Sequence, residues 1–394
     1  MKYNFDELID RSNNNSTKYE ETVNVYGTHD VSPLWIADMD FKTAQPIIDA
    51  LHERVEQGIF GYTHRPDEFF LAVKEWQEKR NAYSPDVEHM AFAPGVIPGI
   101  RTMIQAISQP EDGFIIQEPV YFPFRHIIEG TGRKVIVNPL KCEKGRYLMD
   151  YEDFEEKAKC GAKFFVLCNP HNPVGRVWTK EELKKIGDTC LKYDIQIISD
   201  EIHGDLILND NKHTVMAAVS PEIAAITTVC TAPSKTFNLA GLQSSTIIFN
   251  SMDNRNKYQD LLTQKDMSRN NCFSIVSTIA ACKYGDEWLD QLRVYISENM
   301  SFVHNYLKEN IPVLSMEIPE GTYLGWLDAR GLGMTDEELL RFTVDKAGVA
   351  FGVGKSFGIG GSGFLRVNCA TQRSVLEKAF SQLKIAVYEY ELNK

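Results

Sequence analysis

The chain has 394 residues and a net charge of −12, with 43% hydrophobic and 24% charged residues. This composition is typical of a soluble globular protein, and the length exceeds what one hydrophobic core usually organises, so we expect two domains. The acidic balance argues against nucleic acid or an anionic membrane as the main partner. The polar N-terminus is unlike a signal peptide, and no apolar run approaches the length of a membrane span.

The distribution of the cysteines indicates the compartment in which the protein works. All 8 are scattered along the chain without a CxxC pair, and several lie inside apolar runs. We therefore expect buried free thiols in a reducing cytoplasm. No metal site is predicted.

The N-terminal stretch is polar and rich in asparagine, and residues 1–30 are predicted to form an extended arm. Residues 33–41, PLWIADMDF, form a short apolar run interrupted by Asp38 and Asp40. The simplest interpretation is an edge strand whose acids face water. We do not expect these two acids to act as an acid/base pair.

Two amphipathic helices are predicted next. Apolar residues at 47–55 have helical spacing, and Gly58 is a suitable C-terminal stop. A loop containing Tyr62 follows. The second helix is expected to begin near Asp67.

From residue 89 onward, short apolar runs alternate with helical segments. The runs are HMAFAP, GFIIQ, KVIVN, KFFVLC, IQIISD, ITTVC and STIIFN. Continuous apolar runs are typical of strands buried on both faces, so this alternation predicts an α/β domain with a mostly parallel seven-stranded sheet. Thr179 with Glu182, and Thr335 with Glu338, match the capping box that opens a helix.

The pattern changes again after about residue 285. A long amphipathic helix, the strand-like runs GTYLGWLD and GFLRVN, and a final helix predict a smaller α+β domain. We expect residues 1–45 to form the arm and part of the small domain. The large domain is assigned to residues 46–284, and the rest of the small domain to residues 285–394.

Polar or reactive residues follow several of the predicted strands. A glycine before Val96 opens a helix whose free N–H groups can bind an anion. Tyr121, Asn172, Asp200 and Lys235 each come just after an apolar run. Ligands of parallel sheets bind at the carboxyl ends of the strands, so these residues are expected at one edge of one sheet.

Each of these residues also has a simpler interpretation when taken alone. The helix start can be purely structural, and Tyr121 can belong to the core. Asp200 can form a structural salt bridge, because a buried carboxylate must be paired or hydrogen-bonded. Lys235 can be an ordinary surface lysine in a loop.

Taken together, the five features match what pyridoxal phosphate requires. The helix start would bind the phosphate, Tyr121 would stack on the ring, and Asn172 would contact the phenolic oxygen. Asp200 would keep the ring nitrogen protonated. Burial lowers the pKa of a lysine, so Lys235 is the candidate for the Schiff base with the cofactor.

Several motifs carry a family resemblance that covers essentially the whole chain. NPHNPVG, SDEIHGD and SKTFNLAGL resemble fold-type I pyridoxal-phosphate enzymes of the aminotransferase class I/II superfamily. WIADMDF, GYT at 61–63, PGVIPGI, EPVYFPF and SKTFNLAGLQ look like the MalY/PatB family of cystathionine β-lyases. The fold implied is a large cofactor-binding domain with a smaller α+β domain.

The resemblance implies the same cofactor roles and adds further ones. It implies that His203 lies near the phenolic oxygen, where many members of the superfamily have tyrosine. It assigns the phosphate to Ser234 and to the backbone of Val96 and Ile97. Tyr62 matches a tyrosine that reaches the phosphate of the neighbouring subunit, so a homodimer is implied.

Substrate binding is implied for Arg366, Asn172 and the backbone near Ala37. Arg366 also stands out physically, because it lies between two apolar residues in GFLRVN and its fork suits a carboxylate. A buried structural ion pair is the alternative for this arginine.

The expected activity is β-elimination on L-cystathionine or a related S-conjugate of L-cysteine, giving thiol, pyruvate and ammonia. Lys235, Asp200 and Tyr121 are the expected catalytic residues. Position 243 is glutamine, where transaminases of the superfamily usually have a phosphate-binding arginine, and this favours the lyase. An aminotransferase and a regulatory or binding protein that retains the fold are the alternatives.

Overall fold

The computed structural model describes residues 2–11 and 14–393. In chain order the strands are β1 (Ser32–Leu34), β2 (Met90–Ala93), β3 (Gly113–Ile116), β4 (Lys134–Val137), β5 (Lys141–Glu143), β6 (Arg146–Leu148), β7 (Ala162–Cys168), β8 (Gln196–Asp200), β9 (Thr227–Thr231), β10 (Ser245–Ile248), β11 (Ser315–Met316), β12 (Leu324–Asp328), β13 (Val349–Val353) and β14 (Phe364–Asn368). The helices are α1 (Thr17–Glu20), α2 (Thr22–Tyr26), α3 (Gln45–Glu56), α4 (Asp67–Asn81), α5 (Val96–Ile107), α6 (Pro123–Glu129), α7 (Tyr151–Lys159), α8 (Lys180–Lys192), α9 (Pro221–Ala224), α10 (Pro233–Thr236), α11 (Met252–Gln264), α12 (Cys272–Tyr284), α13 (Asp286–Asn310), α14 (Asp336–Arg341) and α15 (Arg373–Leu392).

The larger of the sheets, called the large sheet below, has seven strands in the described residues, in the order β2-β10-β9-β8-β7-β3-β4. Strand β10 is antiparallel to β2 and β9, and the other pairings are parallel. All the apolar runs predicted for this domain form its strands. They are nearly continuous in sequence because helices cover both faces of the sheet. The predicted mostly parallel α/β sheet is confirmed.

The small sheet has the order β1-β13-β14-β12-β11. Strand β1 pairs in parallel with β13, so the N-terminal segment joins the C-terminal part of the chain. Long helices α13 and α15 cover this sheet through buried residues such as Leu292, Ile296 and Leu383. The domain boundaries at residues 45 and 284 stay a prediction.

The N-terminal arm differs from the extended segment that was predicted. It contains the short helices α1 and α2, while residues 1, 12 and 13 lie outside the described residues. Asp40 is buried rather than facing water, because the ammonium group of the equally buried Lys18 lies 2.7 Å from its carboxylate. The polar composition of the arm suggested an exposed segment and gave no sign of this buried ion pair.

Both predicted capping boxes are present at the starts of α8 and α14. At α8, Thr179 Oγ1 accepts a hydrogen bond from the backbone N–H of Glu182 at 3.2 Å, and the Glu182 carboxylate accepts one from the backbone N–H of Thr179 at 2.8 Å. Two backbone donors that have no partner within the helix are thereby satisfied.

We expect Thr179→Ala to lower the free energy of unfolding by about 1 kcal/mol, because the N-cap acceptor is lost. Chemical denaturation of the purified variant measures this change. The matched control is Thr189→Ala, the same substitution within α8, which should be neutral or slightly stabilising because alanine has the higher helix propensity. Equal stability of the two variants would contradict the capping role.

Candidate active site

A cavity of about 200 Å³ opens at the carboxyl ends of the strands of the large sheet. Its lining comprises Ala37, Pro94, Gly95, Val96, Ile97, Pro98, Tyr121, Cys168, Asn172, Asp200, Ile202, His203, Ser234, Lys235, Ala240, Gln243 and Ser244. Most of the site residues predicted from the sequence are among them, although they are far apart in the chain. The parallel sheet explains this, because it aligns the ends of its strands along one edge.

Lys235 lies in the short helix α10, just after β9, with its amine at the cavity. Its Nζ donates a hydrogen bond of 2.5 Å to the carbonyl oxygen of Ala37. Burial, together with the positive charge of Arg366, lowers the pKa of Lys235 to about 8, although Asp38 and Asp200 act in the opposite direction. The neutral amine is therefore accessible near physiological pH, unlike that of an ordinary surface lysine.

Asp200 ends strand β8 and is buried. Its Oδ1 accepts a hydrogen bond of 3.1 Å from the backbone N–H of Ile202. Within the described residues no basic group lies within 4.0 Å of this carboxylate, so the structural salt bridge is not found. Burial, with a contribution from neighbouring Glu201, raises the pKa of Asp200 to about 7. A cationic ligand would reverse that effect of burial.

Arg366 lies in the middle of β14 and is also buried. Its Nη1 donates to Asn172 Oδ1 at 3.2 Å, and its Nη2 donates to the carbonyl oxygen of Trp35 at 2.8 Å. Its Nε has no acceptor, and no carboxylate of the described chain lies within 4.0 Å. Burial lowers the pKa of this guanidinium from its ordinary value. The structural ion pair is therefore absent, and Arg366 is able to receive a carboxylate from a ligand.

His203 and Tyr121 also line the cavity. The Nδ1 of His203 is buried without a hydrogen-bond partner in the described residues. Burial and the nearby charges of Lys235 and Arg366 lower the pKa of His203 to about 3, so its ring is neutral. Burial also raises the pKa of Tyr121, which keeps its hydroxyl protonated.

The N-terminus of α5 forms one end of the cavity. Val96 and Ile97 are its first residues, and their backbone N–H groups have no partner within the helix. Ser234 and Gln243 also line the cavity. A helix N-terminus with an adjacent hydroxyl is suited to an anion such as phosphate.

Tyr62 is the one predicted cofactor-binding residue placed away from this cavity. It is 95% exposed, and the guanidinium of Arg269 lies over its ring at 4.8 Å. Arg366 does not line the cavity directly either, and it reaches the site through Asn172. The predicted contact of Tyr62 with the phosphate would therefore require a second chain.

A loop of the small domain closes over the strand end that carries Tyr121. The backbone N–H of Ile359 donates to Glu118 Oε2 at 2.8 Å, and that of Val120 donates to the carbonyl oxygen of Phe357 at 2.9 Å. Gly358 has φ +94° and its Cα faces Glu118 so closely that a Cβ would clash. A glycine is therefore required at this position.

Tyr323 is a residue of this region that the sequence did not reveal. Its side chain is buried, and its hydroxyl donates to the carbonyl oxygen of Ala37 at 2.9 Å, so it shares this acceptor with Lys235. The ring of His203 packs edge-on against it at 5.9 Å. The strand-like run GTYLGWLD carries no signal that distinguishes this tyrosine from a core residue.

The aminotransferase class I and II family model matches residues 30–383. The chain belongs to this family. Among its relatives, cystathionine β-lyase PatB of Bacillus subtilis (strain 168) is 39% identical, with 98% of this chain and all of PatB covered. Protein MalY of Escherichia coli (strain K12) is 33% identical, with 98% of this chain and 99% of MalY covered. The resemblance to the MalY/PatB branch is confirmed.

Solved structures give the same picture. Cystalysin of Treponema denticola, which contains pyridoxal 5'-phosphate, superimposes with a TM-score of 0.96 at 34% identity, covering 99% of this chain and 100% of cystalysin. A pyridoxal-phosphate-bound protein of Clostridium difficile 630, provisionally called an aminotransferase, has a TM-score of 0.97 at 48% identity, covering 98% of this chain and 100% of that one. The fold-type I architecture predicted from the sequence is confirmed.

The described residues contain no group of three or more His, Cys, Asp and Glu side chains placed to hold a metal ion. The helices found in residues 2–11 and 14–393 include none that is both long and apolar enough for a membrane span.

We expect the amine of Lys235 to be acylated with a pH midpoint of about 8 in cofactor-free protein, because only the neutral amine reacts. Mass spectrometry of the labelled peptide measures this midpoint. Arg366→Met should move it upward, because removal of a nearby cation favours the protonated amine. A wild-type midpoint at the ordinary lysine value of about 10.4 would contradict the lowered pKa.

Proposed function

We propose that the protein is a pyridoxal-phosphate-dependent C–S lyase. Its substrate is L-cystathionine or a related S-conjugate of L-cysteine, which it cleaves by β-elimination to a thiol, pyruvate and ammonia. The observation that carries this proposal is a set of three chargeable groups, the buried Asp200 and Arg366 and the half-buried Lys235, none of which has an oppositely charged partner within 4.0 Å in the described residues. Relatives that are named cystathionine β-lyases support it.

The residues around the cavity fit the cofactor. The N–H groups of Val96 and Ile97 and the hydroxyl of Ser234 would bind the phosphate. Tyr121 would lie against the ring, and Asp200 would face its nitrogen. When bound, the cofactor supplies a covalent attachment for the amino group of the substrate and an electron sink for the charge formed at Cα.

The phenolic side of the cofactor would meet Asn172 and His203. The Asn172 amide is held by Arg366, which donates to its oxygen. The unpartnered Nδ1 of the neutral His203 offers a further polar contact in this wall. These two side chains would fix the plane of the ring without adding charge.

Arg366 would bind the α-carboxylate of the substrate. Its Nε lacks an acceptor in the described chain, and Asn172 and the Trp35 carbonyl orient its fork. A bidentate pair with a carboxylate is the strong geometry for a guanidinium. The backbone near Ala37 lies beside this position, where it can contact the same carboxylate.

Lys235 would move the proton that starts the reaction. Its Nζ, neutral in an appreciable fraction of molecules at a pKa of about 8, removes the proton from the substrate Cα. Asp200 would hold a proton at the ring nitrogen of the bound cofactor, because a buried carboxylate attracts a cation strongly. The thiolate then leaves from Cβ, and the remaining three-carbon fragment hydrolyses to pyruvate and ammonia.

An aminotransferase is the second candidate. The provisional name of the 48% identical Clostridium protein favours it. Both reactions begin with removal of the α-proton by Lys235. Gln243 at the cavity, where transaminases of this superfamily usually have an arginine, favours the lyase.

The assay that decides between them is pyruvate release from L-cystathionine without any added keto acid. We expect steady release by the lyase, because elimination needs no amino acceptor. Lys235→Ala should abolish turnover, and Asp200→Ala should lose most of it, since general acid–base transfer typically contributes ~10²–10⁴-fold. Turnover that starts only when a keto acid is added would identify an aminotransferase instead.

We further propose a homodimer in which Tyr62 reaches the phosphate in the partner's site. The support is its position, 95% exposed and outside the cavity of its own chain, in a loop that also exposes Ile59 and Phe60. Exposed apolar groups of this kind mark interaction surfaces.

We also propose a cytoplasmic location without nucleic-acid or membrane partners, because the cysteines are free thiols and the net charge is −12. Cell fractionation and nucleic-acid retention assays would test these points.

Mixed dimers test the shared site. Lys235→Ala and Tyr62→Ala are each expected to be inactive at limiting cofactor, but their hybrid contains one site with both residues. A 1:1 mixture that exchanges subunits should therefore recover activity in about a quarter of the sites. The matched control mixes Lys235→Ala with Asp200→Ala, whose hybrids have no intact site and should stay inactive. No recovery in the first mixture would rule out the role of Tyr62.

A further inference from the structure

A strip of backbone links the two groups on which the proposed chemistry depends. The carbonyl oxygen of Trp35 accepts a hydrogen bond from Arg366 Nη2 at 2.8 Å, and that of Ala37 accepts one from Lys235 Nζ at 2.5 Å. Arg366 belongs to the small sheet and Lys235 follows a strand of the large sheet. Residues 35–38, the acceptor strip, therefore hold a group from each sheet.

The other carbonyls of the acceptor strip are also occupied. The side-chain amide of Asn368 donates to the carbonyl oxygens of Ile36 at 2.7 Å and Asp38 at 2.5 Å. Tyr323 donates to Ala37 at 2.9 Å. All four consecutive carbonyls thus accept side-chain hydrogen bonds, so a displacement of the strip would disturb every one of them.

A cluster of charges, in which Lys18 and Asp40 are buried, contacts the far end of the strip. Lys18 Nζ lies 2.7 Å from Asp40 Oδ2, and the guanidinium of Arg11 bridges Asp40 Oδ1 at 2.7 Å and Asp38 Oδ2 at 3.1 Å. We call these four residues the arm cluster. Lys18 also anchors the near end, because its carbonyl oxygen accepts from the indole N–H of Trp35 at 2.9 Å.

The arm cluster carries a large desolvation cost, so it is poorly suited to stabilising the fold. The side chain of Lys18 is 0% exposed and that of Asp40 is 4% exposed. The free-energy cost of removing two charges from water largely offsets their mutual attraction. A buried ion pair therefore adds little net stability compared with apolar residues in the same place. Burial opposes the charge on Asp40, but Lys18 and Arg11 outweigh it and hold the pKa of this carboxyl below its usual value. The main effect of such a pair is to hold this segment of the chain in one position, and its contribution to the free energy of unfolding is small.

We propose that Lys18 and Asp40 are positioning residues of the active site, which fix the acceptor strip and thereby orient Arg366 and Lys235. The role in substrate binding rests on the proposed function of the cavity. Neither residue touches the cavity, so each acts through the backbone of residues 35–38.

The sign of the electrostatic effect separates this role from simple loss of structure. The charged and titratable groups that face Lys235 are Arg366 from β14, Asp38 from the strip, Asp200 from β8, and the neighbouring His203 and Tyr323. Lys18→Met leaves the carboxylates of the arm cluster with less positive charge, which favours the protonated form at Lys235. Asp40→Asn has the opposite effect.

The experiment uses the cofactor-loaded protein and compares Lys18→Met, Asp40→Asn and the double variant with wild type. The pH midpoint of the cofactor absorbance band reports the charge near Lys235, and KM for a series of S-substituted cysteines reports the orientation of Arg366. Lys42→Met is the matched control, because Lys42 is 57% exposed and pairs on the surface with Glu7 of the same arm.

We expect the midpoint to rise in Lys18→Met, to fall in Asp40→Asn, and to return toward wild type in the double variant. KM should rise about tenfold or more in all three, the usual effect of weakening a hydrogen bond to a charged group, while Lys42→Met stays within about twofold. If Lys18→Met does not fold, the isosteric Asp40→Asn carries the comparison alone.

Midpoints that move in the same direction in both single variants, or KM values within about twofold of wild type, would overturn the proposal. If the wild type releases no pyruvate, the function proposed above fails, and the Kd of an unreactive amino acid, read from the same absorbance band, replaces KM as the measure of positioning.

Discussion

Arg366 and Asp200 are buried chargeable groups, Lys235 is a half-buried one, and none of the three has an opposite charge within 4.0 Å in the described chain. Isolated buried charges are costly, so such groups usually acquire a partner or lose their charge. Here the pKa of Lys235 falls to about 8 and that of Asp200 rises to about 7. These two shifts bring the pKa values of a base and of an acid close to physiological pH. A ligand with a cationic ring nitrogen and a carboxylate would supply the charges that Asp200 and Arg366 lack.

The architecture follows from the need to hold these groups together. The large sheet supplies Asp200 and Lys235 at its carboxyl edge, and the small sheet supplies Arg366. Between them runs the acceptor strip, which contacts both. The N-terminal segment enters the small sheet as β1 and then crosses the cavity, so one short stretch of chain determines how the two parts of the site face each other.

Local patterns explain why so much of the site was visible in the sequence. The apolar runs predicted the strands of the large sheet, and a residue that follows a buried strand in such a sheet lies at the ligand-binding edge. Asp200, Asn172 and Lys235 were found by this reasoning without knowledge of any contact. The arm was less accessible, because Lys18 and Asp40 are 22 residues apart and neither lies in a periodic pattern. Tyr323 was missed because a buried tyrosine in a strand has no local mark of its hydrogen-bond partner.

The sequence by itself determined the α/β architecture, the capping boxes, the membership of the MalY/PatB branch, and the positions of most cavity residues, since these depend on local periodicity and short motifs. Only the tertiary structure decided that Arg366 lacks a carboxylate partner within the described chain, that Asp40 is buried against Lys18, and that Ala37 serves both Lys235 and Tyr323. The physical reason is that desolvation and pairing of charges depend on which distant segments meet, and no local pattern of residues encodes that meeting.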